Sequence, residues 1–150
     1  MSKADLARDY FLKGANCAQA IACAFADECG QSPEMMAKLA SGFGAGMGRM
    51  REVCGAVSGM VLVADLLKGP TDLADKAGKD AQYTLIQDLA NQFKAQTGSI
   101  ICRELLGLSK KETPSPISEP RTETYYKKRP CVEMVALAAE ILEKSLSQGG

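Results

Sequence analysis

Residues 53–69, VCGAVSGMVLVADLLKG, decide the fold. The run is apolar almost throughout and stops at Gly69-Pro70, a pair that ends helices. A helix apolar on every side belongs at the centre of a bundle, where Gly55, Ala56, Ser58 and Gly59 let neighbouring backbones approach closely. Such a helix also leaves room for a second copy of the chain to complete the bundle, so a homodimer is one expectation.

Working outward, the rest of the chain also favours helix. Alanine, leucine, methionine, lysine and glutamate are common, while β-branched and aromatic residues are sparse, so no sheet is expected. Ser2 opens a first helix with Leu6, Tyr10 and Phe11 on one face and Gly14 at its end. Asn16, with Gln19 three residues on, reads as a capping box for a second helix running through CAQAIACAFADEC to Gly30. Ser32-Pro33-Glu34 starts a third, to about Ser41. Thr71-Asp72 opens a long amphipathic helix with Leu73, Ala77, Ala81, Leu85, Leu89 and Phe93 at helical spacing, closed by Gly98. Ser99 is placed to cap a short helix, IICRELLG. Residues 108–129 hold three prolines and read as a long exposed loop before a last helix from about Pro130-Cys131. The expectation is an all-α, single-domain helical bundle over residues 1–150, with about five to seven helices.

Lysine plus arginine balances aspartate plus glutamate at 18 each, so no global field recruits nucleic acid or an anionic membrane. Residues 127–130, KKRP, read as a solvated helix entrance. No apolar run reaches the roughly 18 residues that span a bilayer, and the charged amino-terminal stretch MSKADLARDYFLKG points to a cytoplasmic protein. The chain contains no histidine. That excludes Ser-His-Asp and Cys-His catalysis, mixed cysteine-histidine zinc fingers, Rieske centres and histidine-ligated haem. With no standout carboxylate pair, hydrolase and transferase readings are weak as well.

What remains is sulfur. Six cysteines are too few for a disulfide-dense scaffold, so functional thiols or metal ligation outrank structural disulfides. Cys17, Cys54, Cys102 and Cys131 fall at expected helix starts, where free N–H groups and the helix dipole favour thiolate. Cys131 also follows Lys127, Lys128 and Arg129, and is the first candidate for a depressed pKa. Cys23 and Cys29 read as core filler. No Cys-x-x-Cys is present, so any four-cysteine site must be assembled from distant helices. The glycines of GFGAGMG, residues 42–48 with Ser41 before them, match neither a Walker loop nor a dinucleotide fingerprint; close packing or a turn is expected, with Arg49 and Arg51 leaving a small anion-binding option.

Asn16-Cys17-Ala18-Gln19, Phe43-Gly44-Ala45-Gly46-Met47, Cys54-Gly55-Ala56-Val57-Ser58-Gly59, Gly98-Ser99 with Cys102, and Cys131 together resemble the redox-active C_GCAxxG_C_C family over about residues 10–142. The family's four cysteines carry over to Cys17, Cys54, Cys102 and Cys131; Cys23 and Cys29 lie outside its pattern. The resemblance implies a helical bundle, prokaryotic origin and redox role, with similar domains joined to multihaem cytochromes or associated with iron–sulfur binding. No haem attachment motif is present here. Two chemistries follow for the four cysteines: redox activity, by dithiol exchange with an unidentified redox partner or through an iron–sulfur cluster, or a four-thiolate zinc site without electron transfer. A structural or partner-binding protein with inert cysteines is the third reading.

Overall fold

The computed structural model describes residues 1–108 and 115–148, without the side chains of residues 127 and 128. Among the described residues there are eight α-helices and no strand: α1 Lys3–Leu12, α2 Cys17–Ala24, α3 Pro33–Ala40, α4 Gly55–Lys68, α5 Lys76–Thr97, α6 Cys102–Leu105, α7 Glu123–Lys128 and α8 Cys131–Gln148. The fold is all-α, with a 3-10 turn at Ser41–Phe43 after α3.

The caps fix where the helices begin. Ser2 accepts from the Asp5 amide, and Ser32 from that of Met35 with Pro33 at the first helical position. Asn16 and Gln19 close a full capping box at α2. This is the most deeply buried element; every residue of α2 except Gln19 is buried, and it packs on α1, α3, α4 and α8. The centre is therefore shared between α2 and α4. Gly59 permits their contact, since a Cβ there would lie 2.7 Å from Ile21 Cβ and 3.0 Å from the Ala18 carbonyl. α4 is not enclosed along its whole length, because Asp65 and Leu66 emerge into solvent.

Four boundaries differ from the sequence expectation. α2 ends at Ala24 rather than near Gly30: Lys3 Nζ donates to the Ala24 carbonyl at 3.0 Å, satisfying a terminal acceptor, and residues 25–30 form turns. α5 starts at Lys76 because Asp75 caps it by accepting from Gly78 N, while Asp72 is used in a preceding turn to Ala74 N. Its buried stripe is consequently Gln82, Leu89 and Phe93, with Leu73, Ala77 and Ala81 exposed. Ser99 is not the cap of α6; Ile101 is, and Ser99 Oγ accepts from Ile101 N and donates to Glu104. The expected loop contains α7, capped by Thr122, while its residues 109–114 lie outside the described residues.

One non-helical pairing organises the site. Cys54 N donates to Ile100 O at 2.7 Å, Cys102 N to Glu52 O at 2.6 Å and Arg103 N to Arg51 O at 3.1 Å, around an antiparallel bridge between Val53 and Ile101. This short ladder clamps the start of α4 to the start of α6.

Candidate functional site

At one end of the bundle a cavity of about 380 Å³ is lined by Cys17, Cys54, Cys102 and Cys131 together with Arg49, Arg51, Arg121 and Arg129. Each of the four cysteines stands at a helix start, as the sequence implied. Cys17, Cys102 and Cys131 are the first residues of α2, α6 and α8, and Cys54 is the N-cap of α4. All six cysteines are free thiols; Cys23 and Cys29 do not line the cavity. Cys23 is buried and donates to the Pro33 carbonyl at 3.4 Å, a packing role.

Position at a helix start does not lower every thiol pKa. Cys17 is raised well above the usual value, first because it donates a hydrogen bond to Cys131 and then through burial. Cys54 is pushed up to about 12 by burial; the Ala56 and Val57 amides lie near its sulfur and offset part of this without closing a cap hydrogen bond. Cys102 is raised by burial against the opposing Arg51 guanidinium, whose Nη1 lies 3.7 Å from Sγ. Desolvation outweighs the dipole at these three sites. Cys131 alone is lowered, to about 7: the Cys17 hydrogen bond favours its thiolate, burial opposes, and Arg129, Arg51 and Arg121 add their charge. The side chains of Lys127 and Lys128, also expected to act on it, lie outside the described residues.

The arginines come from two segments that sequence reasoning left largely unassigned. Residues 45–49 all have positive φ, with Ala45 at 54°, Gly46 at 74°, Met47 at 68°, Gly48 at 57° and Arg49 at 63°, and Arg51 follows at 61°. A left-handed run of L-residues costs roughly 1–2 kcal/mol per residue. Main-chain bonds from Gly48 N to Gly42 O at 2.8 Å and from Glu52 N to Gly46 O at 2.9 Å pin it. Gly44 fits because it abuts the Asn16 side chain, and Gly46 because a Cβ would meet Arg51 Cα at 2.6 Å. The coil projects Arg49 and Arg51 to the cavity.

Arg121, in the segment before α7, donates to Phe11 O at 3.1 Å and Ala15 O at 3.0 Å and stacks over the Phe11 ring at 4.5 Å. It ties the far loop to α1. Glu119 accepts from Arg129 at 2.8 Å and pairs with Arg49 at 3.7 Å. Tyr125 completes the wall. No local pattern marks Arg121 or Tyr125; Arg121 acts through contacts with the other end of the chain, and Tyr125 packs against Tyr126 and beneath Arg121.

The four cysteines share the cavity, yet among the described residues no three cysteine, aspartate or glutamate side chains are grouped so as to hold one ion. As they stand they do not meet the demand of a zinc or iron–sulfur centre for converging thiolates. No helix among the described residues is long and apolar enough to cross a membrane.

An all-α bundle that gathers four free thiols and a cluster of guanidiniums at one end defines a class of histidine-free cysteine protein. Within that class, the chain belongs to the family described as "Putative redox-active protein (C_GCAxxG_C_C)", matched over residues 15–145. All four cavity cysteines fall inside the match. No curated protein and no solved structure matches the chain.

Proposed function

We propose that the protein exchanges electrons by thiol–disulfide chemistry, with Cys131 as attacking thiolate and Cys17 as resolving thiol. The observation that carries this reading is the division of labour between two hydrogen-bonded thiols: Cys131 is half-buried and lowered to about 7, whereas Cys17 is buried and raised. A nucleophile with a pKa near ambient pH and a protonated partner within reach are the two requirements of exchange.

Cys131 S⁻ attacks one sulfur of a disulfide R–S–S–R′, forming Cys131–S–S–R and releasing R′–S⁻. Cys17 then loses its proton to solvent and attacks Cys131 Sγ, forming the Cys17–Cys131 disulfide and releasing R–S⁻. The two thiols give up two electrons, and the substrate disulfide is reduced to two thiols. Run backwards, the same steps oxidise a dithiol. Cys54 and Cys102, both raised by burial, stay protonated near neutral pH.

Cys131 should therefore react with iodoacetamide at pH 7 faster than any other cysteine, and Cys17→Ser should accumulate the mixed disulfide on Cys131. Peptide mapping that finds another cysteine alkylated first would overturn the assignment. A metal centre on the same four cysteines is the second reading, favoured by their lining one cavity; it requires them to close on an ion. Stoichiometric zinc, or iron and sulfide with visible bands, in protein purified without oxygen and lost in Cys54→Ser would establish it instead.

A further inference from the structure

The charge of the cavity wall restricts what can enter. Among the described residues four guanidiniums line it, and Glu119 is the only acid that does. Arg49 and Arg129 share that carboxylate, and Arg121 is engaged with the Phe11 and Ala15 carbonyls. Among the described residues Arg51 has no carboxylate partner, and the one hydrogen-bond contact of its guanidinium is the Cys102 sulfur at 3.7 Å. A guanidinium offers five donors in a planar fork suited to a carboxylate, so most of the Arg51 donor capacity faces the cavity unspent. It is held there by a backbone in a left-handed conformation at Arg51 itself, φ 61°, a cost that is kept where the surrounding structure fixes it for use. The volume, about 380 Å³, lies in the range of small-molecule sites.

Resting on the thiol-exchange reading, we propose that the substrate is a small disulfide bearing a carboxylate, which Arg51 binds while the disulfide sulfur meets Cys131. Reduction of such a disulfide consumes the two electrons of the Cys17 and Cys131 thiols and yields two thiols, of which at least one bears the carboxylate, with the balance written above.

Three disulfides of similar size separate the terms: dithiodipropionate, an anion; hydroxyethyl disulfide, neutral; and cystamine, a cation. Reduced full-length protein is mixed with each, loss of thiols is followed under single-turnover conditions, and every rate is divided by that of a free small thiol with the same disulfide. The normalised rate should be about tenfold or more higher for the anion than for the neutral compound and lowest for the cation, as expected of a charge-assisted Arg–carboxylate contact. The preference should shrink as ionic strength rises. Arg51→Gln should bring the anion-to-neutral ratio toward one, while Arg51→Lys should keep part of it; a change in Cys131 reactivity common to all three compounds cancels in the ratio.

Equal normalised rates for anion and neutral compound in the wild type overturn the proposal while leaving thiol exchange standing. A wild-type preference unchanged in Arg51→Gln also overturns it, by removing Arg51 from the recognition. If Cys131 reacts with none of the three, thiol exchange fails and the substrate proposal falls with it.

Discussion

Replacing Cys131 by serine should erase a rise in folding stability that the wild type shows between pH 7 and 8. In the folded protein the Cys131 thiol ionises at about 7, against an ordinary value of 9.0 that the unfolded chain regains. Between those values the unfolded state holds a proton that the folded state has released, so the contribution of this thiol to stability increases with pH. It is fully present above 9 and lost as pH falls through 7. Two units correspond to on the order of 2 to 3 kcal/mol. From about pH 8 upward the sign turns: Cys17, Cys54 and Cys102, together with Cys23 and Cys29, are all raised in the folded state and keep protons that the unfolded chain begins to give up. Above 9.0 each removes up to about 1.4 kcal/mol per pH unit until its own folded-state ionisation. Because the unfolded thiols begin to ionise before 9.0, the raised thiols overtake Cys131 below that pH, and the wild type should be most stable near about pH 8. The absence of histidine keeps the window from 7 to 9 free of imidazole titration. Urea denaturation in reducing buffer at pH 7, 8, 9 and 10 measures this directly. An equal rise in Cys131→Ser would refute the attribution, and a wild type with no rise would refute the lowered thiol itself.

Other expectations follow from packing and from the chemistry. Gly59→Ala should cost about 1–3 kcal/mol, read from the urea midpoint, because the new methyl meets Ile21 Cβ at 2.7 Å inside the core; an unchanged midpoint would mean that α2 and α4 are not pressed together there. Gly55→Ala places a methyl 3.0 Å from Cys17 Cβ, so resolution of the mixed disulfide should slow several-fold while alkylation of Cys131 is unchanged; a parallel change in both rates would contradict the separate roles. Oxidation to the Cys17–Cys131 disulfide closes a loop of roughly 115 residues, for which chain entropy gives about 4–5 kcal/mol, and the oxidised protein should unfold at higher urea than the reduced one.

The parts of this fold that were legible in the sequence are those written in local contacts. Ser2, the Asn16–Gln19 box and Ser32-Pro33 mark three helix starts within four residues of the groups they satisfy. The helix-start placement of the four cysteines could be read for the same reason. The effect of that placement could not, because it depends on burial: three thiols are enclosed by helices that are remote in sequence, and desolvation reverses the sign that position alone gives. The clamp between residues 51–54 and 100–103 and the reach of Arg121 back to α1 join segments far apart along the chain, and no window of sequence contains both sides. The alternating glycines announced a break in helix, but nothing in Ala45, Met47, Arg49 or Arg51 as residue types foretells positive φ.

Those two hidden features meet in the chemistry. The largest cause of the raised Cys17 pKa is its hydrogen bond to Cys131, ahead of burial. Once Cys131 is consumed in a mixed disulfide, that hydrogen bond and the thiolate charge are gone, while Arg51, Arg121 and Arg129 remain in the wall. Cys17 then ionises more readily than before the first step, so the resolving thiol is armed by the event it must follow. Before that step it stays protonated and buried, closed to other electrophiles. Serine at position 131 would remove the thiolate without supplying a disulfide, and Cys17 in that variant should ionise at lower pH than in reduced wild type yet form no intramolecular disulfide. Thiol titration of Cys131→Ser with Cys17 followed by peptide mapping tests this; a Cys17 that titrates as in the wild type would show that burial alone holds it, and the coupling between the two thiols would have to be abandoned.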